Sequence, residues 1–394
     1  MPSLSPLKRE RAVLVGVCRG RADRAVVDEH LDELERLAET AGGRVVGRLV
    51  QERGVTSPAT CLRRGKVESL AELARDQGAG LAVFDDDLSP AQVRNLEAAA
   101  GIKVLDRSAL ILDIFARRAR SREARTQVEL AQLRYLLPRL TRQWTHLSRQ
   151  DGGIGQRGVG ETQLELDRRF IRRRIGRLQR DLAAIETERG ERRKRRSDPT
   201  VALIGYTNAG KSTILNLLTG AGAFVEDRLF ATLDPLVRRC APAGRPPFLL
   251  IDTVGFIRKL PHHLVASFRS TLEEAGEADL LLHVVDCASP AREEQRRTAS
   301  ALLDDLGLGQ RPTLLVFNKI DRAAGPLVER LRAEHPESAF ISALQPADGR
   351  RLETRVREAL ALTRRGASMP VASRCAGAAD DAERVVQAPG ERPA

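Results

Sequence analysis

Apolar positions in the first hundred residues alternate between two periods. Ala12–Cys18 and Arg44–Val50 are short runs rich in Val and Leu, the length of buried strands. Between them, Val26, Leu31, Leu34 and Leu37 recur at helical spacing within Ala25–Thr40. The alternation then repeats: Val67–Arg75 predicts a helix, Leu81–Asp85 a strand, Pro90–Ala99 a helix and Lys103–Leu105 a short last strand. Strands alternating with helices predict a small parallel-sheet α/β domain over residues 1–107.

From Ser108 the pattern is helical and free of Gly to about Arg142, with Arg117, Arg118, Arg120, Arg122, Arg125 and Arg134 along it. A glycine-rich stretch, Asp151–Gly160, separates it from a second Arg-rich helical pattern, Glu161–Arg196. This predicts a long helical hairpin over 108–196 with a loop at 151–160, whose glycines allow a close backbone approach to another surface. The plainer reading of the arginines is a solvated flank. Ser197, Asp198 and Pro199 mark a linker. Apolar runs then return at Val201–Ile204, Phe248–Ile251, Leu280–Val285 and Thr313–Phe317, which predicts a second, mostly parallel α/β domain over 197–365. Residues 366–394 are rich in Ala, Gly, Pro and charge without period, and predict a disordered tail.

Charge and composition narrow the partner class. The net charge of +12 points to a polyanion: nucleic acid, an anionic membrane surface, or else merely a basic solvated face. Aromatic residues make up only 3% of the chain, which argues against single-strand stacking platforms and favours shape and backbone reading of structured RNA. The five cysteines (Cys18, Cys61, Cys240, Cys287 and Cys375) are scattered, without a CxxC pair, as in a reducing compartment with no zinc site. No apolar run reaches membrane-spanning length and no signal peptide is visible, so a cytoplasmic protein with at most weak membrane-surface association is expected.

The candidate chemistry lies in the second α/β domain. Gly205, Tyr206, Thr207, Asn208, Ala209, Gly210, Lys211 and Ser212 match GxxxxGK[ST] between a strand and the helical run opened by Thr213. In that context backbone N–H groups surround phosphates at a helix N-terminus, Lys211 reaches the β/γ-phosphates and Ser212 ligates Mg²⁺. Asp252, Thr253, Val254 and Gly255 follow a strand; the carboxylate can join the Mg²⁺ shell and the Gly255 N–H can meet a γ-phosphate. Asn318, Lys319 and Asp321 follow another strand, and the Asp321 carboxylate can accept both the N1 and N2 protons of guanine, a pairing adenine cannot offer. Ser342, Ala343 and Leu344 offer a backbone N–H to guanine O6, and Phe230, Ala231 and Thr232 bring a threonine that can close over Mg²⁺ and γ-phosphate. Together these imply a site for GTP and GDP with Mg²⁺, in which Lys211, Thr232 and Gly255 serve catalysis. Phe256 stands where Ras-like switches carry a water-positioning glutamine, so slow intrinsic hydrolysis is expected.

These residues and several outside the pocket resemble the HflX GTPases, a ribosome-associated bacterial and organellar family, from about Val45 to Leu362. The most specific piece, Gly152–Glu165, is similar to the signature GGIGTRGPGETQLE. Leu105–Ala119, Thr126–Leu140, Gly205–Thr213, Phe230–Pro235 and Asp252–Phe256 also resemble family segments, and Leu88–Glu97 resembles LSPxQxxNLE. Cys61–Lys66 departs from the family's YIGxGK, and the small C-terminal domain of many relatives has no counterpart after about Thr363. The resemblance implies a P-loop GTPase domain preceded by a small α/β domain and the hairpin, acting as a monomer on the large ribosomal subunit near the peptidyl-transferase centre and dissociating or rescuing stalled ribosomes, often under stress. Gly153, Gly155, Arg157, Gly158 and Gly160 would contact rRNA. Asn208 resembles the K⁺ ligand of potassium-stimulated GTPases. The alternatives are a large-subunit assembly GTPase, or an RNA-binding or remodelling protein regulated by its GTPase domain.

Overall fold

The computed structural model describes residues 10–18, 24–52, 56–141, 159–194, 197–220, 222, 229–230, 233–242, 244–259 and 275–364. The first domain runs β1 (Arg11–Val17), α1 (Arg24–Thr40), β2 (Arg44–Gln51), α2 (Arg64–Asp76), β3 (Leu81–Phe84), α3 (Pro90–Ala100), β4 (Lys103–Asp106) and α4 (Arg107–Arg118). Its strands lie in the order β2-β1-β3-β4, all parallel. Strand side chains alternate between faces, so Ala12 and Leu14 meet α1 and α4, while Val13, Val15 and Val17 meet α2 and α3. The LSPxQxxN stretch builds a helix start. Ser89 Oγ accepts from Gln92 N at 3.2 Å, Gln92 Oε1 accepts from Ser89 N at 2.8 Å, and Pro90 takes the first helical position.

The single helix expected over Ser108–Arg142 is two helices with a corner at Ala119–Ser121. Ser121 caps α5 (Arg122–Leu136): its Oγ accepts from Ala124 N at 3.0 Å. The corner lets the two helices bury different faces. α4 lays Leu110, Ile111, Ile114 and Phe115 into the core with α1. α5 turns away to pair with α6 (Val159–Lys194), joining Leu130 to Leu178 and Leu182. Glu129 pairs with Arg174 at 2.6 Å and Glu123 with Arg189 at 2.9 Å, an order that makes α5 and α6 antiparallel.

The second α/β unit runs β5 (Thr200–Gly205), α7 (Lys211–Thr219), β6 (Leu236–Cys240), β7 (Phe248–Asp252), β8 (Leu280–Asp286), α8 (Arg292–Asp305), β9 (Thr313–Asn318), α9 (Gly325–Glu334), β10 (Ala339–Phe340) and α10 (Pro346–Arg364). The sheet order is β10-β9-β8-β5-β7-β6; among the described residues, β6 alone runs antiparallel to its neighbour. Ile214 of α7 and Leu352 and Val356 of α10 cover one face. The other face carries Ala202, Ile204 and Leu281 with Ala299 and Leu303 of α8, and this cluster continues without a break into the α1 and α4 layer of the first domain. The two α/β units therefore share a core.

Candidate functional site

The phosphate loop lies between β5 and α7, where two glycines are sterically obligatory. Gly205 has φ +140°, and a Cβ there would fall 2.2 Å from Val284 O. Gly210 has φ +96°, and a Cβ would fall 2.2 Å from Asn318 Nδ2. Behind them the amide dipoles of α7 favour an anion. Lys211 is buried and donates from Nζ to Gly205 O at 3.1 Å and Tyr206 O at 2.9 Å. Burial pushes its ammonium down to about 8; Asp252 works against that shift and Lys319 with it. A phosphate is the compensating anion that such a buried cation calls for.

Next in the chain, Ser212 Oγ donates to Asp252 Oδ2 at 2.5 Å, and Asp252 is fully buried at the end of β7. A hydroxyl and a carboxylate beside a phosphate loop are the hard oxygen donors that Mg²⁺ takes, so these residues fit the ion. Thr253 turns inward, its Oγ1 donating to Leu203 O at 2.6 Å, and Val254 is buried. Gly255 lies so close to the loop that a Cβ would sit 2.7 Å from Thr207 Cα and 2.9 Å from Lys211 Nζ. The following residue is laid alongside the loop backbone: Phe256 N donates to Gly205 O at 3.0 Å and Phe256 O accepts from Thr207 N at 2.7 Å. The Phe256 ring, 2% exposed, points into the shared core.

At the guanine end, Asn318 closes β9 and fastens two other loops. Its Nδ2 donates to Ala209 O at 2.9 Å and its Oδ1 accepts from Ala343 N at 3.0 Å. Lys319, at φ +62°, donates to Asn208 O at 2.7 Å and pairs with Asp286 at 2.8 Å. Ser342 N donates to Asp348 Oδ2 at 2.8 Å, which sets the third loop. Asp321 lies exposed in a 3-10 turn over Ile320–Arg322, and Leu344 is 66% exposed. A cleft of about 1020 Å³ opens beside these loops, with Asn208, Asp286 and Lys319 on one wall and Asp32, Glu33 and Arg36 of α1 on the other.

Not every expected residue reaches the pocket. The Phe230 ring lies in the shared core, edge-on to Phe115 at 4.7 Å between centroids, and Tyr206 directs its side chain toward the first domain. Thr213 lies in α7 and Gly160 in the first turn of α6. Ala231, Thr232, Gly153, Gly155, Arg157, Gly158 and the tail fall outside the described residues. Sequence reading missed a set of charged neighbours: Glu33, Asp85, Arg107, Arg258, Lys259, Asp286 and Asp348. Two signals were visible, the acid run Asp85, Asp86 and Asp87 at a strand end and the bases Arg258 and Lys259 just past the DxxG segment.

Comparison with known proteins follows the same division of the chain. Residues 28–116 match a family model described as GTP-binding GTPase N-terminal, 118–196 one described as GTP-binding GTPase middle region, and 200–319 one described as 50S ribosome-binding GTPase. Curated relatives include GTPase HflX of Alkalihalophilus pseudofirmus, 48% identical over 92% of this chain and 85% of its own length. GTPase HflX of Caldanaerobacter subterraneus is 50% identical over 85% of this chain and 77% of its own, and that of Escherichia coli 47% identical over 80% and 75%. With nearly half its residues shared with such relatives over most of both chains, this chain belongs to the HflX family of GTPases.

Proposed function

We propose that this chain binds GTP, hydrolyses it to GDP and phosphate, and uses that cycle to bind the large ribosomal subunit and dissociate or rescue stalled ribosomes. The observation that carries the nucleotide half is Asn318, whose side chain joins the phosphate loop to the Ser342–Leu344 loop, with Asp321 three residues on. Lys211 neutralises phosphate charge, the Gly255 N–H approaches a γ-phosphate, and the Asp321 carboxylate accepts two guanine protons. Ser212 and Asp252 would hold Mg²⁺, with Thr232 proposed as a further ligand, and the ion would supply charge neutralisation on the phosphates. K⁺ beside Asn208 would add a further positive charge, in which case turnover is faster in KCl than in NaCl.

The ribosomal half is supported by the family membership, by the description of the model matching residues 200–319, and by the exposed Arg169, Arg172, Arg173, Arg177 and Arg180 along α6. Arginines spaced along one helix suit a phosphate backbone, and the glycine-rich segment before α6 suits close contact with rRNA. GTP favours the bound state in this reading. Gradient sedimentation of 70S ribosomes with the protein tests it. With a non-hydrolysable GTP analogue the protein travels with large subunits and the 70S peak shrinks; with GDP neither occurs. Intact 70S particles with the protein at the top of the gradient in both nucleotides would contradict the proposal.

A further inference from the structure

The segment after DxxG is fastened to the first domain through a chain of polar groups that is buried at Tyr206, Arg107 and Asp85 and reaches the surface at Lys259. Tyr206, the first variable residue of the phosphate loop, donates its hydroxyl to Glu33 of α1 and accepts from Arg258 N at 2.8 Å. Glu33 also takes the guanidinium of Arg107, which is 1% exposed and whose other arm donates to Asp85 Oδ1 at 2.7 Å. Asp85 in turn receives Lys259, which also reaches Asp86 at 2.9 Å. The chain Tyr206–Glu33–Arg107–Asp85–Lys259 thus leaves the phosphate loop and returns to the segment that carries Gly255. Arg258 adds a second tie, to Glu294 of α8 at 3.2 Å and Glu29 of α1 at 3.6 Å.

Its place in the first domain is informative. β1 and β3 are neighbours in the sheet, and their onward connections lead to β2 on one side and β4 on the other. A parallel sheet opens a crevice at the carboxyl ends of its strands where the order diverges in this way, and such crevices commonly hold ligands. Asp85 and Asp86 follow β3 directly at that end, and the group they hold is the Lys259 ammonium of the GTPase domain. Burial alone would raise the Asp85 carboxyl; the His30 hydrogen bond and the Arg107 and Lys259 charges hold it well below its ordinary value. The acidic end of the sheet is therefore matched to cations from the DxxG side.

We propose that Tyr206 and Lys259 are positioning residues for GTP hydrolysis, through which the first domain fixes the backbone of Gly255–Arg258 against the phosphate loop. Neither side chain touches nucleotide in this account. Both act on where the Gly255 N–H lies, and a misplaced donor costs rate more than ground-state binding. The proposal rests on the GTPase reading above.

The test is steady-state GTP turnover and GDP binding by Tyr206→Phe and Lys259→Gln in the full chain. Tyr206→Phe keeps the ring in the core and removes only the hydroxyl; Lys259→Gln leaves Asp85 its Arg107 and His30 partners. In each, kcat falls about tenfold while KM and the GDP Kd stay within about twofold, and thermal unfolding shifts little. Keeping the positive charge with Lys259→Arg retains most of the rate. Unchanged kcat, a raised kcat, or a loss of GDP binding equal to the loss of turnover would each overturn the proposal. If the unaltered chain hydrolyses no GTP, it is the GTPase reading that fails; turnover by the unaltered chain with unchanged variants sinks the positioning role alone.

Discussion

At the guanine end, among the described residues, the hydrogen-bond partners of Asn318, Lys319 and Asp348 come from the GTPase domain. Asn318 joins Ala209 and Ala343, Lys319 joins Asn208 and Asp286, and Asp348 holds Ser342. At the phosphate end, the partners of Tyr206, Arg258 and Lys259 include Glu33, Glu29, Asp85 and Asp86 from the other α/β domain. GTP and GDP are identical at the base and differ only at the γ-phosphate. A self-contained base end gives both nucleotides the same anchor, whereas a phosphate end braced from outside makes the first domain party to the difference. Recognition and state-sensing are thus built on separate supports.

The largest effect that sharpens this contrast is Asp321→Ala. With Asp321 in its proposed role as acceptor of two guanine protons, its removal weakens GTP and GDP alike by on the order of 10³-fold, with the fold intact because Asp321 is exposed. Fluorescent-nucleotide titration measures it; a change confined to GTP would break the separation of the two ends. Next in size is Phe256→Gln, which puts an amide into the shared core. It costs on the order of 3 kcal/mol in denaturant unfolding and does not accelerate hydrolysis, because the side chain points away from the phosphates. Faster turnover would mean that the segment can turn over.

Much of this arrangement was legible beforehand. Most strands of the two sheets stand out as short apolar runs, and the glycine positions of the phosphate loop follow from its spacing. What stayed hidden has physical reasons. Among the described residues β6 pairs only with β7, at the sheet edge, and it carries Arg238 and Arg239 in its middle, so it lacks an apolar signature. The corner at Ser121 hides within a continuous helical period, because a serine cap leaves no Gly or Pro. Phe230 and Phe256 read as pocket neighbours from their place in the chain, yet their rings face the other domain. The chain through Glu33, Arg107 and Asp85 joins residues far apart in sequence, and only the fold brings them together.

Two smaller effects probe the supports beneath the site. His283 lies buried in β8 within the sheet, where burial first, and then the Arg296 and Lys211 charges, push its imidazole from 6.5 down to about 4. The unfolded chain therefore takes up this proton first. The neutral form's contribution to stability is complete above about 6.5 and is lost as pH falls toward 4. Unfolding free energy should drop by about 1 kcal/mol between pH 7.5 and 5.5 on this account alone, and His283→Gln should remove that part of the slope. Asp234, two residues past Thr232, accepts from Arg120 N at 3.0 Å and Ser121 N at 3.2 Å and so holds the start of α5. Asp234→Ala should cost about 1 kcal/mol, read by thermal unfolding, while leaving nucleotide affinity unchanged.

The contrast between the two ends is tested most directly by amide hydrogen exchange in the GDP form against the form with a non-hydrolysable GTP analogue. The prediction is equal protection in both forms for Asn318–Asp321 and Ser342–Leu344, with a difference between forms in α1 around Glu33 and in Asp85–Leu88. Identical exchange of α1 and Asp85–Leu88 in the two forms, with the difference confined to the GTPase domain, would contradict it.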